Sequence, residues 1–431
     1  MSRKELDRYA ALTEEGDPYA NRLLCLSLDI GEEILKSGGE IQRVEDTVER
    51  ICRAYGAVHV EIFAIHSLII ASVRMADGGY SSQIRRIYQS ANHLATLEAF
   101  NRISRVVCRK RPDLDELDAM IKHEKCRSVS PLWSVLISYA IIAGPFALLF
   151  GGSLRDGAAG ALVALLLGLI SRIRSNYITP LAKTLLISFV AGVLSYLSVL
   201  VGIGENVDMI MIGTIMLLIP GLAFGNAIRD LLCGDTVAGL LKTVQSCLSA
   251  ILIACGYALS LFLLGPYVPS AEGITVVLHP AVEWIAVLLG TVGFAMLFHV
   301  RAKHIPVISL MGILTYALYT LSLHVGLSQF VSAFFALIVV SLCAEGCARI
   351  FQAPTVVFLY PAPVVIVPGG SLYYTMSALL LQKETLLEAH LQNTLQISIG
   401  IAAGIVTVSV LVQCLTRMSA HLKLEKERKK K

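Results

Sequence analysis

The chain has 431 residues, 55% of them hydrophobic and 16% charged, with a net charge of +4. Soluble domains carry charge on roughly a quarter of their residues, so a wholly soluble protein is excluded, and so small a net charge does not point to nucleic acid. The average hides a division, because residues 1–130 hold 39 of the 68 Asp, Glu, Lys and Arg, residues 131–420 hold 21, and the last eleven hold eight.

The opening MSRKELDRYAALTEEGD has no apolar core, so it does not read as a signal peptide. Residues 20–37 and 40–55 predict amphipathic helices. In the second, Ile41, Val44, Val48, Ile51, Cys52 and Tyr55 fall on one face at helical spacing. Gly38-Gly39 separates the two, and Gly56 is placed to stop the second in the left-handed conformation. AVHVEIFAI (57–65) and SLIIASVRM (67–75), rich in β-branched residues, predict paired strands. A turn at Asp77-Gly78-Gly79 then leads to a helix expected over 81–107. Residues 1–130 are therefore expected to form an α+β domain. Arg105, Arg109, Lys110 and Arg111 form a basic run near its end, either a solvated face or a contact with anionic lipid headgroups.

Several chemistries lack their motifs. Gly234 and Gly239 have the separation of a phosphate-binding loop, but Leu240 follows where its Lys is needed, so ATP is not the expected energy source. No His-Glu-x-x-His and no Gly-x-Ser-x-Gly occurs. The ten cysteines form no Cys-x-x-Cys pair. Cys343 and Cys347 lie one helical turn apart, a spacing that packing explains better than a metal. No cofactor or metal is expected.

From residue 131 onward, apolar runs long enough to span a bilayer alternate with short breaks. Ten are counted: about 132–150, 157–171, 182–203, 209–228, 239–264, 281–299, 305–323, 328–347, 355–380 and 394–415. With both termini inside, the inner breaks carry Arg172, Arg174, Lys183, Arg229, Arg301, Lys303, Arg349 and the tail KLEKERKKK. The outer breaks carry Arg155 and Lys383 beside Glu205, Asp208, Glu272, Glu384 and Glu388. That bias satisfies the positive-inside rule.

Residues 217–235 (LLIPGLAFGNAIRDLLCGD) and 365–383 (VIVPGGSLYYTMSALLLQK) align at an offset of 148. Pro220-Gly221 matches Pro368-Gly369, and IACG at 253–256 matches IAAG at 401–404. Each Pro-Gly falls in the fourth of five spans. Repeats of odd span number enter the membrane from opposite sides, so the halves are expected to be inverted. Inverted repeats with helices broken near the midplane are characteristic of secondary transporters. Proline and glycine can break the helix there, and a polar substrate cavity can satisfy the freed backbone groups; the alternative is a packing kink. The fold expected is thus a polytopic α-helical membrane protein, with ten transmembrane helices as two inverted five-helix repeats behind an N-terminal cytoplasmic α+β domain. The divisions fall at 1–130, 131–265, 266–420 and a basic cytoplasmic tail, 421–431.

Candidate substrate-binding residues are Pro220, Gly221, Asn226, Arg229, Asp230, Pro368, Gly369, Gly370 and Tyr373. Asp230 and Glu345 are candidates for ion coupling, since ionisable groups within spans are costly. An Arg229–Asp230 pair at headgroup level is the competing reading. Tyr373 and Tyr374 are also explained by aromatic packing.

These residues carry a resemblance. SGGEIQRVEDTVERICRAYG (37–56) and PGLAFGNAIRDLLCGDTVAGL (220–240) resemble motifs of the threonine/serine exporter family, and PAPVVIVPGG (361–370) resembles its smaller five-span module. Glu40, Arg43, Glu45 and Asp46 match the first motif residue by residue. Pro220, Gly221, Asn226, Arg229, Asp230, Gly234 and Asp235 match the second. The resemblance implies a fused, ten-span exporter drawing on an ion gradient. Expected partners are a small polar substrate (threonine, serine or a dicarboxylate), a coupling proton or ion and the lipid bilayer, with a homo-oligomer left open. The expected location is the plasma membrane. An intramembrane enzyme and a channel or scaffold are the competing classes.

Overall fold

The computed structural model describes residues 17–87, 92–127, 131–171, 179–268, 279–380 and 382–428. They divide into two compact units: one is residues 1–130 with 298–301 and 351–357, and the other is 131–297 with 302–350 and 358–431.

The first unit contains helices α1 (Pro18–Lys36), α2 (Ile41–Ala54), α3 (Leu94–Lys110) and α4 (Leu114–Arg127). Its antiparallel sheet has strands β1 (Ala57–Ile65), β2 (Leu68–Met75) and β3 (Tyr80–Arg86) in that order. Asp17 starts α1, accepting the Tyr19 and Ala20 N–H groups at 3.2 Å, as an N-cap acid does. One sheet face buries Ile69, Ala71 and Val73, and α1 buries Leu23, Leu24, Leu28, Ile30 and Ile34 in the same core. Gly31 brings α1 and α2 together, since a Cβ there would lie 2.7 Å from Val48 Cγ2. Gly56, at φ +97°, ends α2 as expected.

The helix expected over 81–107 is two elements, β3 and α3. The signal fails because β3 turns its polar residues inward. Ser81 and Gln83 bond the Asn21 side chain, and Arg85 lies 3.9 Å from Asp29, while Ile84 is 62% exposed. The N-terminus of α3 is completed by residues 298 and 299, whose carbonyls accept the Leu94 and Ala95 N–H groups at 2.9 and 3.0 Å. His93 stacks on His299 with ring centroids 4.4 Å apart, and Arg301 bonds buried Glu98 at 3.0 Å.

The second unit is helical throughout its described elements. Before the midpoint come α5 (Leu132–Leu149), α6 (Leu154–Ser171), α7 (Pro180–Leu200), α8 (Val207–Leu218), α9 (Gly221–Cys233) and α10 (Thr236–Leu264). After it come α11 (Pro280–Leu297), α12 (Ile305–His324), α13 (Gln329–Phe351, its last residue counted in the first unit), α14 (Val356–Leu359, its first two residues counted in the first unit), α15 (Gly369–Leu380) and α16 (Glu384–Arg428). Eight described helices are long and apolar enough to cross a bilayer, and two bent pairs, α8 with α9 and the segment from α14 with α15, bring the number to ten if each is one span. Each bent pair is then fourth in a run of five. Outward-facing Phe262 (84% exposed) and Val201 (74%) suit lipid and would be a liability in water. The final helix runs 384–428, far beyond the 394–415 expected. Arg172, Arg174 and Glu272, used in the charge bias, lie outside the described residues.

Candidate functional site

Two interrupted helices organise the second unit. Ile219 leaves the helix with φ −72° and ψ 134°, and α9 resumes at Gly221, its axis turned by 49°. Pro220 has no N–H to continue the ladder; its carbonyl accepts the first bond of α9, from Phe224 N–H at 2.8 Å. The other break repeats this. A tight turn over Ala362–Ile366 ends at Val367 (φ −59°, ψ 130°), and the Pro368 carbonyl accepts Leu372 N–H at 2.9 Å. There the axis turns by 53°.

The breaks touch. A Cβ on Gly221 would lie 2.7 Å from Val367 Cγ1 and 3.5 Å from Gly369 Cα. A Cβ on Gly369 would lie 2.9 Å from Ile219 Cγ2 and 3.1 Å from Met216 Sδ. At the offset of 148, Ile219 corresponds to Val367 and Gly221 to Gly369, so the contact is reciprocal. A second pair of glycines stands at the same offset, and each packs against the third helix of its run. A Cβ on Gly256 of α10 would lie 2.8 Å from Leu185 O and 2.7 Å from Ser188 Cβ on α7. A Cβ on Gly404 of α16 would lie 2.9 Å from Phe334 O and 2.8 Å from Leu337 Cβ on α13. The N-termini of α9 and α15, each with a partial positive charge, therefore meet at the breaks.

Beside them lies a cavity of about 270 Å³. Tyr257, 1% exposed, bonds Thr214 Oγ1 through its hydroxyl at 2.9 Å. From it an aromatic chain runs to the lining residue His390: Tyr257 to Tyr373 at 5.9 Å, Tyr373 to Tyr374 at 5.4 Å, and Tyr374 stacked on His390 at 5.0 Å. Tyr196 and Ser377 add hydroxyls. Exposed Asp208, in the first turn of α8, and exposed Lys383, just before α16, line the cavity with opposite charges.

Both charges have fixed backbones. The Lys383 N–H bonds the Ala378 carbonyl at 3.0 Å. Before Asp208, the carboxylate of Asp156, 1% exposed, accepts the Glu205 and Asn206 N–H groups at 2.7 and 2.8 Å. Its other oxygen accepts Ser153 N–H at 2.8 Å, while Ser153 Oγ accepts Asp156 N–H at 3.2 Å, a capping box at the start of α6. The Asn206 side chain in turn accepts the Asp208 N–H at 3.0 Å.

A second polar group lies on α9, where Asn226, Arg229 and Asp230 are half-buried and Asp230 Oδ2 is 3.8 Å from Lys242 Nζ on α10. At the offset of 148, Asn226 corresponds to Tyr374, Arg229 to Ser377, Asp230 to Ala378 and Lys242 to His390. The two polar groups thus occupy equivalent positions in the two runs of five.

Of the expected site residues, Pro220, Gly221, Pro368 and Gly369 come together at the breaks. A Cβ on Gly370 would lie 3.1 Å from the Phe150 ring, and Tyr373 lines the cavity. Asn226, Arg229 and Asp230 sit apart from the cavity lining, and half-buried Glu345 sits on α13. Sequence reasoning missed Asp156, Asp208, Lys383, His390 and Lys242 as site residues. The Ser-x-x-Asp spacing at 153–156 signalled Asp156, and Lys242 is the only charged residue of its apolar run. Among the described residues, no group of three or more His, Cys, Asp or Glu could hold a metal.

Residues 26–264 match the family model described as putative threonine/serine exporter, and residues 283–411 match a second, described as threonine/serine exporter, ThrE. No curated protein and no solved structure matches the chain.

Proposed function

The chain belongs to the threonine/serine exporter family, and we propose that it carries threonine and serine out of the cell by alternating access, driven by a proton or other ion gradient. The observation that carries the mechanism is the reciprocal contact of the two Pro-Gly breaks beside a polar cavity. Reciprocity at a constant offset supports two inverted five-span repeats related by a pseudo-two-fold axis, the architecture in which one repeat rocks against the other around a midplane site.

In this reading both termini are cytoplasmic, the membrane is the plasma membrane, and the cavity opens outward, because Asp208 and Lys383 belong to outer breaks. Residues 220–221 and 368–370 supply the hinge, and their side of the cavity is reached through Tyr373, one turn beyond Gly369. Tyr373 forms part of the wall.

The cavity's charges favour an amino acid over a dicarboxylate. A zwitterion offers its ammonium group to Asp208 and its carboxylate to Lys383, leaving a side-chain hydroxyl for the tyrosines and Ser377. A dicarboxylate would place its second carboxylate against Asp208. His390, when protonated, would favour the dicarboxylate reading. Asp230 and Glu345 are the carboxylates proposed to carry the coupling ion, since a span residue that takes up a proton loses its desolvation penalty.

The test is efflux from intact cells. Cells lacking the protein and fed threonine-containing dipeptides should hold more intracellular threonine than cells expressing it. Efflux should collapse when a protonophore removes the gradient while ATP is maintained. Efflux that follows ATP and ignores the gradient would refute the coupling. Dependence of succinate efflux alone on the chain would transfer the assignment to dicarboxylates.

A further inference from the structure

Two inverted repeats exchange conformations when a transporter turns over, so a pathway open through one repeat must have a closed counterpart in the other. The cavity includes Tyr374, Ser377, Ala378 and His390 in its lining. Their counterparts at the offset of 148 are Asn226, Arg229, Asp230 and Lys242. There α9 and α10 are bridged by Asp230 and Lys242, 3.8 Å apart, with side chains only 20% and 25% exposed. In the second repeat the corresponding pair is Ala378 and His390, which can form no salt bridge.

We infer that the Asp230–Lys242 ion pair is the inner gate of the transporter, closed while the outer cavity is open and broken when the inner pathway opens. The inference rests on the alternating-access reading. Lys242 is on α10, packed against α7 through Gly256, whereas Asp230 is on α9, immediately beyond the break at Pro220-Gly221. A rotation of α9 about that break moves Asp230 relative to Lys242 and leaves the α7–α10 contact intact. The gate therefore sits where the hinge has leverage.

The pair is a positioning device, not a substrate ligand, so its test reads conformation. Single cysteines are placed at Ser377, in the cavity, and at Asn226, beside the gate, in the full-length protein in inside-out and right-side-out vesicles. Labelling by a membrane-impermeant maleimide is read on the peptide bearing each cysteine, so native thiols do not interfere. Removing a half-buried ion pair should shift the population about fivefold. Asp230→Asn and Lys242→Gln are each expected to lower labelling at 377 and raise it at 226 by that factor. Lys242→Arg, which keeps the charge, should label as the unmodified protein does, and the reversed pair D230K/K242D should return both rates toward it. Unchanged labelling in both single variants overturns the gate, as does a reversed pair no different from the sum of its parts. If one single variant does not insert, the other carries the comparison against Lys242→Arg. Threonine flux is recorded in parallel: an unmodified protein that moves no solute defeats the transporter reading, whereas normal flux with unmoved labelling defeats only the gate.

Discussion

Replacing Asp156 with alanine removes one buried side chain and undoes two pieces of structure. Its carboxylate holds the Glu205, Asn206 and Ser153 N–H groups at 2.7, 2.8 and 2.8 Å, joining the start of α6 to the loop that presents Asp208. A hydrogen bond to a charged acceptor contributes about 1.5–3 kcal/mol, and a donor left buried costs a further desolvation penalty. Asn206 is buried and cannot recruit water freely, whereas Glu205 is exposed and can. The three bonds therefore do not add fully, and the expected loss is about 3–5 kcal/mol. Asp156→Asn keeps an acceptor for the loop but turns an N–H₂ toward Ser153 N–H, so about 1–3 kcal/mol is expected there. Glu205→Gln is the control. It breaks the pair with Arg155 at 3.2 Å, whose side chains are 70% and 50% exposed, and such pairs contribute about 0–1 kcal/mol. Thermal unfolding of the purified protein in detergent ranks the three. The order Asp156→Ala, then Asp156→Asn, then Glu205→Gln is expected, with Glu205→Gln close to the unmodified protein. An Asp156→Ala protein that melts with the unmodified one refutes the claim that this carboxylate braces the loop.

Other outcomes follow from the same geometry. Asp208→Asn should weaken threonine transport at least tenfold, roughly the 1.4 kcal/mol of one charge contact, and leave 3-hydroxybutyrate, which lacks the ammonium group, unaffected; equal losses in a paired flux assay would contradict the role. Gly369→Leu forces a side chain against Ile219 and Met216 and should abolish transport while the protein still reaches the membrane, as surface labelling with flux can check. Asp230→Asn should strongly slow threonine efflux with expression intact, and normal efflux would return Asp230 to a headgroup-level charge. In the first unit, burial and the neighbouring His299 lower the pKa of His93 to about 4. The unfolded chain then takes up the proton first, so stability is level above pH 6.5 and falls as pH drops from 6.5 toward 4. After allowing for solvent screening the loss is on the order of 1–2 kcal/mol. Chemical denaturation across that range should show the slope, and His93→Gln should remove it.

The parts of this molecule that were legible in the sequence are those written in local pattern. Pro220-Gly221 and Pro368-Gly369 break helices for covalent reasons, so their positions and their common offset could be read directly. The faces of α2 and the extents of β1 and β2 followed from apolar spacing in the same way. β3 was not legible because its inward residues, Ser81, Gln83 and Arg85, are polar and its outward Ile84 is apolar, the reverse of the usual signal. The cavity was hidden for another reason. Asp208 and Lys383 lie 175 positions apart and were legible only as loop charges in a topology argument; what makes them a site is that α8 and the start of α16 bring them to one cavity. Asp156 had a local signature, but its second role, bonding the backbone at 205 and 206, depends on a contact 50 residues away. Lys242 stood in an apolar run with no acid on its own helix face to explain it, and its partner comes from the helix before.

The account's central claim is that this chain itself moves a zwitterionic hydroxy amino acid along a gradient. The direct measurement uses purified protein in liposomes loaded with labelled threonine, serine or succinate, without ATP, with a proton or sodium gradient imposed across the bilayer. Threonine and serine should leave faster than from protein-free liposomes under at least one gradient. The efflux should cease when an ionophore dissipates that gradient, and succinate should remain inside. Succinate efflux without threonine efflux would contradict the reading of Asp208 and Lys383, and no protein-dependent flux of any of the three under either gradient would contradict the transporter itself.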